Sequence, residues 1–361
     1  DEGHGLLNRA GKENSRMANV LDALSATTPY YVNATADPVK NDVSEAFDLL
    51  AKMDPARYTD RAAFMRRYGV DSAAARAALQ REMAPYQITG RIESGMPVQR
   101  RTETVPLSEA QRRDLDQVSR HLANLRLARM KGAVDVEAAR ALSPDVFAKA
   151  PADQHVAIAR RLARSIGVLK EAAIHRVLNA HPEGGKLAAI DRLVSPGGEL
   201  HGQPGVIFAH SLKAVHHIAE RLERAGHRVV TLTGSDSSKV KAQKKAQFNP
   251  ETGPAQADIL VTSDAGAVGM NAQRGRWMIQ HDTPQTAMNH NQRNGRVDRV
   301  GQQHDVQLID LVHDHPAERA ARERLSKKYE LREIMTAPQV GLDDTGLAGY
   351  LIQRRAEAAA A

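Results

Sequence analysis

The 361-residue chain contains no cysteine. That excludes a disulfide scaffold, a thiolate zinc finger and a cysteine nucleophile. It is compatible with a reducing, cytoplasmic setting. Aromatic residues make up 4%, with one tryptophan, and they form no stacking platform of the kind that binds single strands. No run approaches the roughly 18 consecutive apolar residues of a helical membrane span. No internal repeat is evident, and the only low-complexity piece is Ala358 to Ala361. The first residues, Asp1, Glu2, Gly3 and His4, are polar and do not read as a secretory signal.

What is present suffices for folded domains. Apolar residues reach 42%, enough to bury a core. At about 150 residues per domain the length suggests two domains. Lys and Arg number 50 against 43 Asp and Glu, a net charge of +7. That modest surplus points only weakly to a polyanionic partner.

The chain changes texture along its length. Tyr30 to Val32 reads as a short strand, and a helix begins near Ser44. Residues 60–180 are rich in Ala, Arg and Leu and read as helices. Ser108 and Gln111 form a capping box ahead of Leu115, Val118, Leu122, Leu125 and Leu127. The arginines between them read as a solvated face. A Pro/Gly cluster from Pro196 to Gly205 then ends this region. After it, short apolar runs predict strands at 206–209, 229–232, 259–262, 277–280 and 306–309. Helices between them include one opened by Ser211, one over 239–248, and one capped by Thr283 with Pro284 at its first position. The alternation predicts an α/β fold, a mainly parallel sheet covered on both faces. Ligands of such sheets lie beyond the carboxyl ends of the strands. The loops there hold Ser211, Thr233-Gly234 and Ser263 to Asn271.

The most informative string runs from Gln292 to Gln302, QRNGRVDRVGQ. On a helix, Gln292, Arg296 and Arg299 would share one face. Their planar, permanently charged guanidiniums match phosphate oxygens. The string resembles motif VI of superfamily-two helicases, in the variant typical of Swi/Snf-type DNA translocases. Leu260 to Asn271 resembles motif V, Val206 to Ser211 motif IV, and Leu232 to Ser235 an adjoining family segment. Asp1-Glu2-Gly3-His4 resembles the D-E-x-H box. Thr35 to Asn41 resembles motif III, with Ala36 and Asp37 where the family has Gly and Thr. Arg100 to Gln111 is similar to the inter-lobe strand ending in L-S-x-x-Q, and Gly185-Lys186-Leu187 to the family's G-K-L at the start of the second lobe.

The resemblance implies two RecA-like lobes with ATP between them. Residues 1–55 would close the first lobe and 56–180 form a helical inter-lobe insert. Residues 181–335 would be the second lobe, and 336–361 a tail. Asp1 would hold Mg²⁺ and Glu2 polarise the attacking water, while Arg296 and Arg299 reach the transferring phosphoryl group. His4, Gly266, Gly269, Asn271 and Gln292 would face the nucleotide. Thr35, Ser211, Thr233, Thr262, Ser263 and Lys244 would face nucleic acid, most simply duplex DNA. No G-x-x-x-x-G-K-[ST] loop occurs in the sequence. The resemblance places that Walker A loop upstream of the D-E-x-H box, in a preceding part of the same polypeptide. Two other readings stand beside the translocase: a non-catalytic DNA-binding scaffold that keeps the fold, and a D-E-x-H RNA helicase. Lys239, Lys241, Lys244 and Lys245 read as a solvated face or, under the resemblance, a phosphate contact. His216-His217 and His313-Asp314-His315 read as solvated histidines rather than metal ligands.

Overall fold

Short β-branched runs between amphipathic helices assemble into the expected layers. The computed structural model describes residues 43–86 and 95–336. Asp1, Glu2, His4 and Thr35, with the strand read at Tyr30, lie outside the described residues. The chain divides into two units. One comprises Asp1–Ile92, Thr286–Met288 and Leu325–Ala361; the other Glu93–Gln285 and Asn289–Arg324.

In the first unit, helices α1 (Ser44–Met53), α2 (Arg61–Tyr68) and α3 (Ala73–Met83) surround a small core with Phe47, Leu50, Phe64, Leu79 and Met83. Asp60 and Ser72 cap α2 and α3 by accepting from the Ala63 and Ala75 amides. Glu82 accepts from the Tyr58 and Tyr68 hydroxyls at 2.7 and 2.8 Å.

The second unit is built on six strands: β1 (Val98–Val105), β2 (Gly205–Phe208), β3 (Val229–Leu232), β4 (Ile259–Thr262), β5 (Trp277–Gln280) and β6 (Val306–His313). Their order is β1-β6-β5-β2-β4-β3, and every pairing is parallel. β2, β4 and β5 are buried on both faces, which explains their unbroken apolar runs. Gly205 makes room for the Trp277 indole: a Cβ there would lie 2.0 Å from the ring.

β1 falls inside the stretch read as helical insert, at the sheet edge, in register from Val98 with Val306 to Val105 with His313. An edge strand pairs on one side only, so its sequence can be polar. Its Arg101 and Glu103 form ion pairs with Glu199 and Arg192. After β1, residues 109–180 are mainly helical: α4 (Glu109–Met130), α5 (Val136–Leu142), α6 (Pro144–Ala148), α7 (His155–Arg164) and α8 (Ile166–Ala180). They have their own core, with Val118, Leu122, Leu125, Leu142, Phe147, Leu169 and Val177. The Ser108–Gln111 capping box forms as expected.

The sheet is covered by α9 (Gly185–Val194), α10 (Leu212–Arg224), α11 (Ser238–Phe248), residues 289–294 of α12 (Ala287–Asn294) and residues 316–324 of α13 (Pro316–Thr336). α12 starts at Ala287, not at Thr283. The preceding Asp282 is held by His210 N–H and Arg293, and the Thr283 hydroxyl is buried without a partner instead of capping.

A buried polar network ties insert and sheet together. Lys186 donates to Asn179 Oδ1 and Glu318 Oε1, both at 2.7 Å, and is 1% exposed. Glu318 Oε2 accepts from His313 N–H at 2.6 Å. Gln111 Oε1 accepts from Gly185 N–H at 3.0 Å, and its Nε2 lies 3.2 Å from His313 Nε2. The G-K-L lysine therefore holds the fold rather than a phosphate. His313 is fully buried, correcting its reading as a solvated histidine. Among the described residues no helix is long and apolar enough to cross a membrane.

Candidate functional site

The carboxyl ends of β2 to β5 carry the motif residues. Beyond β3, Thr233 N–H and Oγ1 donate to Asp236 Oδ2, at 2.7 and 3.2 Å. Lys244 donates to Asp236 Oδ1 at 2.8 Å. Burial raises the Asp236 carboxyl, but the Lys244 and Thr233 bonds outweigh it and hold the group below its ordinary range. Lys244 is thus already neutralised within the chain. Lys241 donates to Ala265 O at 3.4 Å, and Lys245 to Val268 O and Gly269 O at 3.3 and 3.2 Å. The lysine run of α11 therefore leans over the Ser263–Asn271 loop.

That loop packs tightly at its start and opens at its end. The Thr262 hydroxyl is buried and donates to Leu232 O at 2.8 Å. It joins β4 to β3 and faces the interior, which corrects its reading as a nucleic-acid contact. Ser263 is buried and its hydroxyl accepts from Gly266 N–H at 3.3 Å. A Cβ on Gly266 would lie 2.2 Å from Leu232 O, so glycine permits the close approach of two backbones. Gly269 is exposed at φ +63° in open space. Asn271 is exposed and donates to Gln273 at 2.8 Å. Ser211, half-buried, opens α10 without a side-chain cap.

The motif VI string does not continue as a helix. α12 ends at Asn294, and the chain tightens into turns at Gly295. The buried Val297 anchors this turn, and Arg296 O accepts from Ala272 N–H at 3.0 Å. A turn fixed at both ends replaces the shared helical face expected for Gln292, Arg296 and Arg299. Gln292 is half-buried on the last turn of α12. Arg296 donates to Met270 O at 3.3 Å. Arg299 is exposed, and its guanidinium has no ion-pair partner among the described residues.

A residue the sequence reading passed over organises the site. Arg293 is 2% exposed. Its Nε and Nη2 donate to the two Asp264 oxygens at 2.6 and 2.8 Å, and its Nη1 to Asp282 Oδ1 at 3.2 Å. Its guanidinium lies 5.4 Å from the Phe208 ring centroid. Burial would lower the Arg293 pKa, but the charges and hydrogen bonds of Asp282 and Asp264 together outweigh it and raise the group. Burial likewise pushes Asp264 and Asp282 up, yet the Arg293 bonds and charge leave both below the ordinary carboxylate range. His210, 3.9 Å from Asp264, is raised by that carboxylate. One buried cation thus joins the ends of β2, β4 and β5 to the start of the motif VI turn. The one available signal was three charged residues at successive strand ends, and charge alone does not distinguish a buried arginine from an exposed one. Among the described residues no group of three His, Asp or Glu side chains could hold a metal ion.

The family described as "Helicase conserved C-terminal domain" matches residues 185–301. That segment, from the start of α9 to Gly301, is similar to the helicase C-terminal family. Three relatives illustrate the range. An uncharacterised ATP-dependent helicase, YqhH of Bacillus subtilis, is 33% identical over 90 residues, 23% of this chain and 16% of its own length. Protein CHROMATIN REMODELING 5 of Arabidopsis thaliana is 27% identical over 153 residues, 42% of this chain and 9% of its own. An ATP-dependent RNA helicase, RhlB of Xanthomonas axonopodis, is 29% identical over 105 residues, 29% of this chain and 18% of its own. This chain thus matches less than a fifth of each relative's length. The segment matched by the family contains Lys186, the buried Arg293, Arg296 and Arg299, and ends at Gly301.

Proposed function

We propose that this chain forms the second-lobe half of an ATP-dependent motor of the Swi/Snf type that moves on duplex DNA. The observation that carries the reading is the Arg296–Arg299 turn, tied to the Ser263–Asn271 loop at the carboxyl end of the sheet. Its two guanidiniums suit an anion. Arg299 is exposed with no internal counter-charge among the described residues, and Arg296 is tethered to a main-chain carbonyl. A nucleotide triphosphate fits that demand. ATP would supply the phosphoryl group whose charge these arginines stabilise. Mg²⁺ would be held through Asp1 and the water polarised by Glu2, both outside the described residues. Exposed Arg299 is the better candidate to reach across to the nucleotide. Ser211, Thr233, Ser263, Gly269 and Asn271 surround the same end of the sheet, where nucleotide and nucleic acid would be sensed together.

The test is ATP turnover, with and without duplex DNA, by the full-length protein that carries this chain. Arg299→Ala is expected to lower turnover by about 10³-fold or more and to leave DNA affinity within a few-fold. Unchanged turnover would remove the arginine from the chemistry. The match to RhlB favours a second reading, an RNA-directed motor, and stimulation by RNA but not duplex DNA would select it. No turnover on either nucleic acid would select the scaffold.

A further inference from the structure

The helical insert carries charge differently from the rest of its unit. Residues 109–180 hold thirteen Lys and Arg against eight Asp and Glu, so most of the chain's +7 surplus sits there. Around the sheet several arginines are paired with carboxylates: Arg100 with Asp298, Arg221 with Asp191, Arg228 with Asp258, Arg322 with Asp310. Where α4 meets α7 the pattern differs. Arg129 donates to Ala163 O at 3.0 Å, joining the C-terminal end of α4 to that of α7. Arg126, Lys131, Arg160, Arg161 and Arg164 each lie within one helical turn of that bond. All are exposed, and none forms an ion pair among the described residues. The dipoles of two helix ends account for one or two such cations, not six. Uncompensated like charges held together repel, and the repulsion is relieved when a polyanion covers them.

We infer that this junction of α4 and α7 is a second contact for the phosphate backbone of duplex DNA, separate from the carboxyl end of the sheet. The inference rests on the reading of the chain as part of a duplex-DNA motor. Five of the six cations are arginines, whose forks suit phosphate oxygens. The junction offers no aromatic ring for stacking bases, so it fits a backbone rather than single-stranded bases. Leu127 and Met130 are exposed among the cations, a mixture that an acidic protein could also use. Cations outnumber these apolar groups threefold, which favours phosphate.

The test compares this chain with its quadruple variant Arg126→Gln/Arg160→Gln/Arg161→Gln/Arg164→Gln. None of the four side chains makes a hydrogen bond or ion pair among the described residues, so the variant is expected to fold, as a thermal melt would check. The probe is a labelled duplex of about 30 base pairs, titrated between about 50 and 200 mM salt. The dissociation constant of the variant is expected to rise at least tenfold, and the slope of log K against log salt to fall by about 2–4. Should the melt fall, Arg126→Gln/Arg160→Gln is expected to lower the slope by about 1–2. Wild-type binding with an unchanged slope in the folded variant would overturn the second contact and leave the motor reading standing. No binding of duplex by the wild type at the lowest salt would overturn both. Tighter binding of a poly-glutamate peptide than of duplex, lost in the variant, would replace the DNA assignment with an acidic protein partner.

Discussion

Arg293 and Arg299 stand six residues apart in one motif and have opposite fates. Arg299 projects from a turn into solvent, while Arg293 is buried between two carboxylates. The motif was legible because its residue types and order are specific. The burial was not, because it depends on where Asp264 and Asp282 arrive from the ends of β4 and β5. Removing one partner from such a cluster leaves buried charge uncompensated, typically at a cost of about 3–5 kcal/mol. Arg293→Met is therefore expected to lower the unfolding free energy by about that amount in urea titrations. A loss below about 1 kcal/mol would mean that water already solvates the two carboxylates.

At the scale of elements, the strands and the capped α4 follow from local sequence. Their apolar runs and the Ser108–Gln111 box need no distant partner. The ends of α12 do not. Thr283 and Pro284 carry a helix-start signature, yet the helix begins at Ala287 and stops before Gly295. Tertiary ties at Asp282 and Val297 override the local preference on both sides. The glycines of the Ser263–Asn271 loop divide in the same way. A side chain on Gly266 would collide with the β3 backbone, whereas Gly269 has only its left-handed φ to defend. Gly266→Ala is expected to cost about 2–3 kcal/mol by overpacking. Gly269→Ala should cost about 1 kcal/mol by backbone strain. Thermal denaturation of the two variants checks the order, and an equal loss would contradict the close approach at Gly266.

For the whole molecule, two buried histidines set the response to acid. Burial pushes His281 down to about 3. Burial and the neighbouring Lys186 charge push His313 down to about 4. In the unfolded chain both titrate near 6.5. Below that value the unfolded state takes up protons that the folded state refuses, so acidification favours unfolding. Stability is expected to fall from about pH 6.5 toward pH 4, by up to about 1.4 kcal/mol per pH unit for each histidine. Urea midpoints measured across that range test this, with His281→Leu expected to flatten the slope. An unchanged slope in that variant would mean that His281 is not held neutral. Neither histidine could be assigned this way from sequence. His313 sits in a cluster of histidines and an aspartate that looks solvent-facing, and only the meeting of β6, α4, α9 and α13 encloses it.

By itself the sequence determined the α/β class, the order of the strands along the chain, the helical character of the insert and the helicase-like motifs. These follow from hydrophobic period, turn chemistry and residue order, which are local. The tertiary structure alone decided that β1 closes the sheet edge beside β6, that Lys186 and Arg293 turn inward, and that the arginines at the junction of α4 and α7 have no carboxylate partner among the described residues. Each of those depends on which groups meet across the fold, because burial and charge compensation belong to neighbours in space, not neighbours in sequence.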